Sequence, residues 1–118
     1  MLNALIIDDE IDICYLLSGL LKNRNLKPTY VNTLSEATIA MREQAPSIVF
    51  IDNHLPDGRG SDYISYIKKM YPDVKIVMIT AHDNMEDKNK ALKMGADSFI
   101  GKPFSSATIY HTIQELSN

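Results

Sequence analysis

The sequence predicts a doubly wound α/β fold, a five-stranded parallel sheet with helices on both faces, on three observations. Short runs rich in β-branched residues, around 3–7, 28–31, 47–51 and 74–79, alternate with longer stretches of helical period. The runs Ala4–Ile7, Ile48–Ile51 and Ile76–Ile79 are apolar at every position, as expected of strands covered on both sides. Pro and Gly fall singly between the periodic segments, with no linker, repeat or low-complexity stretch, so residues 1–118 read as one domain.

The elements follow in order. After the first strand a helix over about 10–24 carries Ile13, Leu16, Leu17, Leu20 and Leu21 as its inward stripe, with Cys14 at the margin. The second strand, around 28–31, leads to Thr33 and Glu36, a capping box that starts a helix running to about Gln44. The third strand, 47–51, ends in Asp52, and Pro56-Asp57-Gly58 reads as a turn before a helix over about 60–70 with Ile64 and Ile67 inward. The fourth strand, 74–79, precedes a helix over about 84–94 that Gly95 closes in a left-handed cap. That helix has only Met85 as an apolar residue between Asn84 and Lys90, so burial holds it weakly. Asp97–Ile100 forms a weaker fifth strand, and Ser105 caps a last helix with Ile109, Ile113 and Leu116 on one face.

Composition narrows the function. The net charge of -3 has the wrong sign for wrapping nucleic acid or anionic lipid, so direct nucleic-acid binding is not expected. No apolar run approaches the about 20 residues of a membrane helix, so no membrane insertion is expected. Cys14 is the only cysteine, which excludes an internal disulfide and points to a reducing cytoplasm.

In a doubly wound sheet, ligands bind beyond the carboxyl ends of the strands, where strand order reverses. Those ends carry Asp8-Asp9, Asp52, Thr80 and Gly101-Lys102-Pro103. Three converging carboxylates repel one another unless a cation sits among them, and their hard oxygens suit Mg²⁺ or Mn²⁺. Lys102 adds a positive charge and Thr80 a hydroxyl, which together stabilise a phosphoryl group in transfer. Taken singly, each feature has an ordinary explanation as helix-terminal charge, turn residue, cap or solvated lysine. It is their joint placement at one rim that carries the argument.

With Asp8-Asp9, the run Asp52-Asn-His-Leu-Pro-Asp-Gly-Arg-Gly, Thr80-Ala81 and Lys102-Pro103-Phe104 in order, the chain resembles response-regulator receiver domains over essentially its whole length. The resemblance implies a flavodoxin-like strand order 2-1-3-4-5 and a two-component signalling switch. In that switch Asp52 takes a phosphoryl group from a histidine kinase or histidine phosphotransfer protein, with Lys102 and Thr80 in the machinery. It further implies that Asp8, Asp9, Asp52 and the His54 backbone carbonyl hold Mg²⁺ or Mn²⁺, and that Thr80 and Phe99 report the change. It makes His54 and His82, each two residues beyond a key position, modulators of the phosphorylated lifetime. Finally, it implies a cis Lys102-Pro103 bond and control of a downstream protein or fused output domain through the face of the fourth helix, fifth strand and fifth helix.

Two features depart from the family. Phe99 stands where a Tyr is frequent, so the switch relies on ring position alone, and Ala107–Leu116 has no Lys or Arg for a charged dimer face. Ile11 and Tyr15, with Ile13, are expected to form a docking patch for a kinase helix. The alternative function is a receiver-like interaction module that works without phosphorylation. Its mark would be a lost acidic or lysine position, and none is lost. A haloacid-dehalogenase-type phosphatase would need a second Asp where His54 stands, and flavin binding would need a hydroxyl-rich loop where Asp8-Asp9-Glu10 stands.

Overall fold

The structure is a computed structural model that describes residues 2–82 and 84–117. Strands β1 (Leu2–Ile7), β2 (Leu26–Val31), β3 (Ile48–Ile51), β6 (Lys75–Thr80) and β7 (Ser98–Gly101) form one sheet in the order β2-β1-β3-β6-β7. All four pairings are parallel, which is the expected order 2-1-3-4-5 counted over the large sheet. Helices α1 (Ile11–Lys22), α2 (Leu34–Glu43), α3 (Gly60–Met70), α4 (Met85–Met94) and α5 (Ser106–Ser117) alternate with these strands.

The apolar runs are continuous because each strand feeds two cores. Ala4, Ile6, Phe50, Val77, Ile79 and Ile100 pack with Leu17 and Leu21 of α1 and Ile109 and Ile113 of α5. Their neighbours Leu5, Ile7, Val49, Ile51, Ile76 and Met78 face the other way, onto Ala37, Met41, Ile64, Ile67 and Ala91 of α2, α3 and α4. Pro28 sits inside β2 without breaking it, since an edge strand pairs on one side only.

The inward face of α1 differs from the expected stripe. Leu16 is 52% exposed, and Cys14 is fully buried in its place. The helix is phased on Cys14, Leu17 and Leu21, spaced three and four apart, with Ile13 and Leu20 half-buried alongside. The Cys14 thiol also donates a hydrogen bond to the Asp8 carbonyl at 3.4 Å, which a leucine would not do.

The capping signals behave as expected. Thr33 Oγ1 accepts the Glu36 amide at 3.1 Å, and Ser105 Oγ accepts that of Thr108 at 3.1 Å. Gly95 closes α4 with φ 117°, where a Cβ would press on Lys68. At the amino ends of the strands, Asp97 Oδ2 accepts the Ile76 amide at 2.8 Å and pairs with Lys68 at 2.9 Å. Only Ala91 of α4 is buried, while Met85 and Leu92 stand exposed.

A feature not expected from the sequence is a small antiparallel hairpin, β4 (His54–Leu55) with β5 (Gly58–Arg59), turning at Pro56-Asp57. It folds the chain after Asp52 back so closely that a Cβ on Gly60 would overlap the Asp52 carbonyl oxygen.

Candidate functional site

Parallel strands deliver their carboxyl ends to one rim. The Asp8 amide donates to Val31 O at 3.1 Å and the Asp52 amide to Ile7 O at 2.9 Å, so the sheet pattern runs one residue past β1 and β3 and fixes both carboxylates at its edge. Asp8 is 2% exposed and Asp52 6%. Across the crevice, the Lys102 amide donates to Thr80 O at 2.9 Å, and the Lys102-Pro103 bond is cis.

The Lys102 ammonium closes the site. It lies 2.9 Å from Asp8 Oδ2, 2.8 Å from Glu10 Oε1 and 3.6 Å from Asp52 Oδ2. Carboxylate oxygens of Asp8, Glu10 and Asp52 all fall within 4.8 Å of one another. One ammonium facing three carboxylates leaves negative charge uncompensated, in a donor set of hard oxygens that suits a divalent cation.

The electrostatics follow from burial. Burial raises the pKa of Asp8, offset in part by the Glu10 amide and by Lys102. Burial likewise raises that of Asp52, against the Lys102 charge and the His54 amide. Lys102 loses hydration too, but its bonds to Glu10 and Asp8 and the Asp52 charge outweigh that loss and hold it more firmly protonated. Two carboxyls strained toward neutrality beside a fixed cation form a site that gains by taking up positive charge.

The structure brings together the side chains of Asp8, Asp52 and Lys102, and links the fully buried Thr80 to them through its carbonyl, which accepts the Lys102 amide. Asp9 is exposed and stands outside the group of three acids; its charge is still felt at Asp52. Glu10 joins that group in its place. Its position directly after the Asp-Asp pair was the available signal, but a Glu there reads first as a helix-terminal charge, and it is indeed the residue before α1.

His54 donates its amide toward Asp52 Oδ1 at 3.5 Å, and the His82 amide reaches Thr80 Oγ1 at 3.3 Å. Their imidazoles meet with centroids 4.0 Å apart, so both histidines fringe one crevice. Phe99 is half-buried in register with Met78, and Thr80 is in register with Gly101, two residues further along each strand, on the side of the sheet that faces α3 and α4.

The profile of the response regulator receiver domain matches residues 4–114. The chain belongs to the receiver domain family. A nitrogen assimilation regulatory protein NtrX from Azorhizobium caulinodans is 35% identical over 106 residues, covering 88% of this chain and 23% of its own length. The phosphate regulon transcriptional regulatory protein PhoB of Escherichia coli is 32% identical over 103 residues, covering 86% of this chain and 45% of the relative. This receiver domain thus spans less than half the length of those relatives. Among solved structures, the beryllofluoride-activated NtrC4 receiver domain dimer superposes with TM-score 0.93 at 34% identity, covering 98% of this chain and 96% of that one. The NtrX receiver domain of Brucella abortus follows with TM-score 0.89 at 31% identity, covering 96% of both. Receiver domains are phosphoacceptor switches of two-component systems, not turnover enzymes, and they generally use Mg²⁺. Among the described residues no helix is long and apolar enough to cross a membrane.

Proposed function

We propose that this receiver domain is a Mg²⁺-dependent switch in which Asp52 accepts a phosphoryl group from the phosphohistidine of a sensor kinase or phosphotransfer protein. The observation that carries the reading is the Lys102 ammonium set between the buried carboxylates of Asp52 and Asp8, at 3.6 and 2.9 Å. An Asp52 oxygen attacks phosphorus, the phosphorus–nitrogen bond to the donor histidine breaks, and the electron pair leaves with the imidazole. The product is an acyl phosphate on Asp52.

Lys102 is placed to pair with phosphoryl oxygens, and Thr80 offers a hydroxyl from the adjoining strand. Mg²⁺ or Mn²⁺, held by Asp8, Asp9, Asp52 and the His54 carbonyl, would neutralise charge on the transferring group. The switch then runs through Thr80 and Phe99 to the face of α4, β7 and α5, and from there to a downstream protein or fused output domain. The exposed Ile11 and Tyr15 at the start of α1 fit a docking patch for the donor. The setting is cytoplasmic, without direct nucleic-acid contact or membrane insertion by this domain.

Acetyl phosphate with Mg²⁺, followed by mass-spectrometric mapping, tests the assignment. Label should appear on Asp52 and vanish in Asp52→Asn; label retained in full by that variant refutes it.

A further inference from the structure

The stretch that opens α2 is hydrogen-bonded both to the backbone of Asp8 and to the hairpin that follows Asp52. Asn32 donates its side-chain amide to the Asp8 carbonyl at 2.8 Å, the same oxygen that receives the Cys14 thiol. Its backbone amide is held by Glu36 Oε1 at 3.1 Å, so the side chain works from a fixed base. Two residues on, the amides of Leu34 and Ser35 donate to the Asp57 carboxylate at 2.9 and 3.0 Å, and Ser35 Oγ adds a third bond at 2.9 Å.

Asp57 sits at the turn of the hairpin that follows Asp52, separated by more than twenty positions from the residues it binds. Leu34 and Ser35 are the first two residues of α2, whose amides have no partner within the helix, while Thr33 serves the Glu36 amide. The two donors hold the Asp57 carboxyl below the usual carboxylate range, so it is ionised when the site is in use. The same hairpin is tied back to the site by the Gly60 amide on Asn53 O at 2.9 Å and the Ser61 amide on Asn53 Oδ1 at 2.9 Å. One rigid helix end is thus bonded to the strand end bearing Asp8 and to the loop leaving Asp52.

We propose that Asn32 and Asp57 are positioning residues of the phosphoryl-transfer site, holding the Asp8 and Asp52 segments at a fixed separation through the amino end of α2. The proposal rests on the function proposed above. Neither side chain needs to touch phosphate or cation. Partners of this kind orient the groups that do the chemistry, and losing one commonly costs about tenfold or more in metal affinity or rate.

The test uses the 118-residue chain with Asn32→Ala, Asp57→Ala and Asp57→Asn, and with Asp97→Ala as a control that loses hydrogen bonds at the opposite rim of the sheet. Mg²⁺ affinity is measured by calorimetry without donor, and the rate of Asp52 labelling by acetyl phosphate is measured separately. Asn32→Ala and Asp57→Ala should each lose about tenfold in both readouts, as for other orienting partners. Asp57→Asn, which keeps an acceptor oxygen, should recover part of the loss, and Asp97→Ala should match the natural chain despite a lower melting temperature. Should Asp57→Ala fail to fold, Asn32→Ala and Asp57→Asn make the same comparison. Variants that melt earlier yet bind Mg²⁺ and label at the natural rate overturn the proposal, leaving only a helix cap. A natural chain that binds Mg²⁺ but takes no label defeats the phosphoacceptor reading instead, and the affinity series still decides on the positioning residues.

Discussion

The rings of His54 and His82 lie 4.0 Å apart, centroid to centroid, with their planes tilted by 47°. They come from different segments, His54 from β4 just after β3 and His82 from the loop leaving β6, and their amides reach Asp52 and Thr80 at the same rim. His54 Nε2 is buried with no hydrogen-bond partner among the described residues, so this ring is held in place by packing.

From that contact follows a prediction about lifetime. We propose that the paired rings shield the Asp52 side of the crevice from attacking water, so that removing either would open it. His54→Ala and His82→Ala should each shorten the half-life of phospho-Asp52 several-fold, read from acid-quenched decay of the labelled chain. Decay at the natural rate in both variants would leave the rings without influence on hydrolysis.

Asp52 weighs against the apo fold at neutral pH. Burial raises its folded-state pKa above the unfolded value, so the folded state binds the proton more tightly. Stability contributed by this group is therefore full below the unfolded pKa and is lost as pH rises through the raised folded one. Asp8 acts in the same direction. Asp52→Asn should raise the melting temperature near pH 7 without Mg²⁺, by about 4 °C for each kcal/mol relieved. A variant that melts no higher than the natural chain would show that Lys102 already compensates the charge.

The acids of the rim should differ in their hold on a cation. Asp8→Asn should weaken Mg²⁺ binding about tenfold or more, because it removes a buried carboxylate that also pairs with Lys102. Asp9→Asn should also weaken it. Glu10→Gln should leave affinity near the natural value, since that exposed carboxylate is engaged with the lysine at 2.8 Å. Calorimetry on the three variants reads the order directly; a large loss on Glu10→Gln with none on Asp9→Asn would reassign the ligand set to the three acids clustered here.

Thr80 and Phe99 should carry the signal outward. With beryllofluoride as phosphoryl mimic, amide shifts in the natural chain should spread from Asp52 to α4, the helix with the fewest buried residues among those described. Thr80→Ala should still bind the mimic, but its shifts should stay near Asp52. Equal spreading in both chains would remove the hydroxyl from the relay.

Much of this was legible in the residues themselves. The runs ending in Asp8, Asp52 and Thr80 are uninterrupted because each feeds two cores, and that pattern named the strands and the rim together. Leu16 and Cys14 exchanged roles because a broad apolar stripe does not reveal its centre, and cysteine packs as a small apolar residue when buried. The hairpin at His54–Arg59 has no periodic signature in the sequence, because two-residue strands show no period. Glu10, and the bonds from Asn32 and Asp57, depend on which loops the fold lays side by side, and spacing along the chain does not encode that.

Cys14 gives the molecule an internal clock. Its thiol is sealed beneath α1, hydrogen-bonded to the backbone of Asp8, and burial with the Asp8 charge pushes its pKa up to about 11. A disulfide-forming reagent meets a reactive thiolate there only after α1 has lifted from the sheet. As the chain has a single cysteine, every trapped molecule records one such opening event. A cation that binds only the closed rim should slow the trapping, and a colorimetric thiol assay with and without Mg²⁺ would then read occupancy of the crevice without a label placed near it.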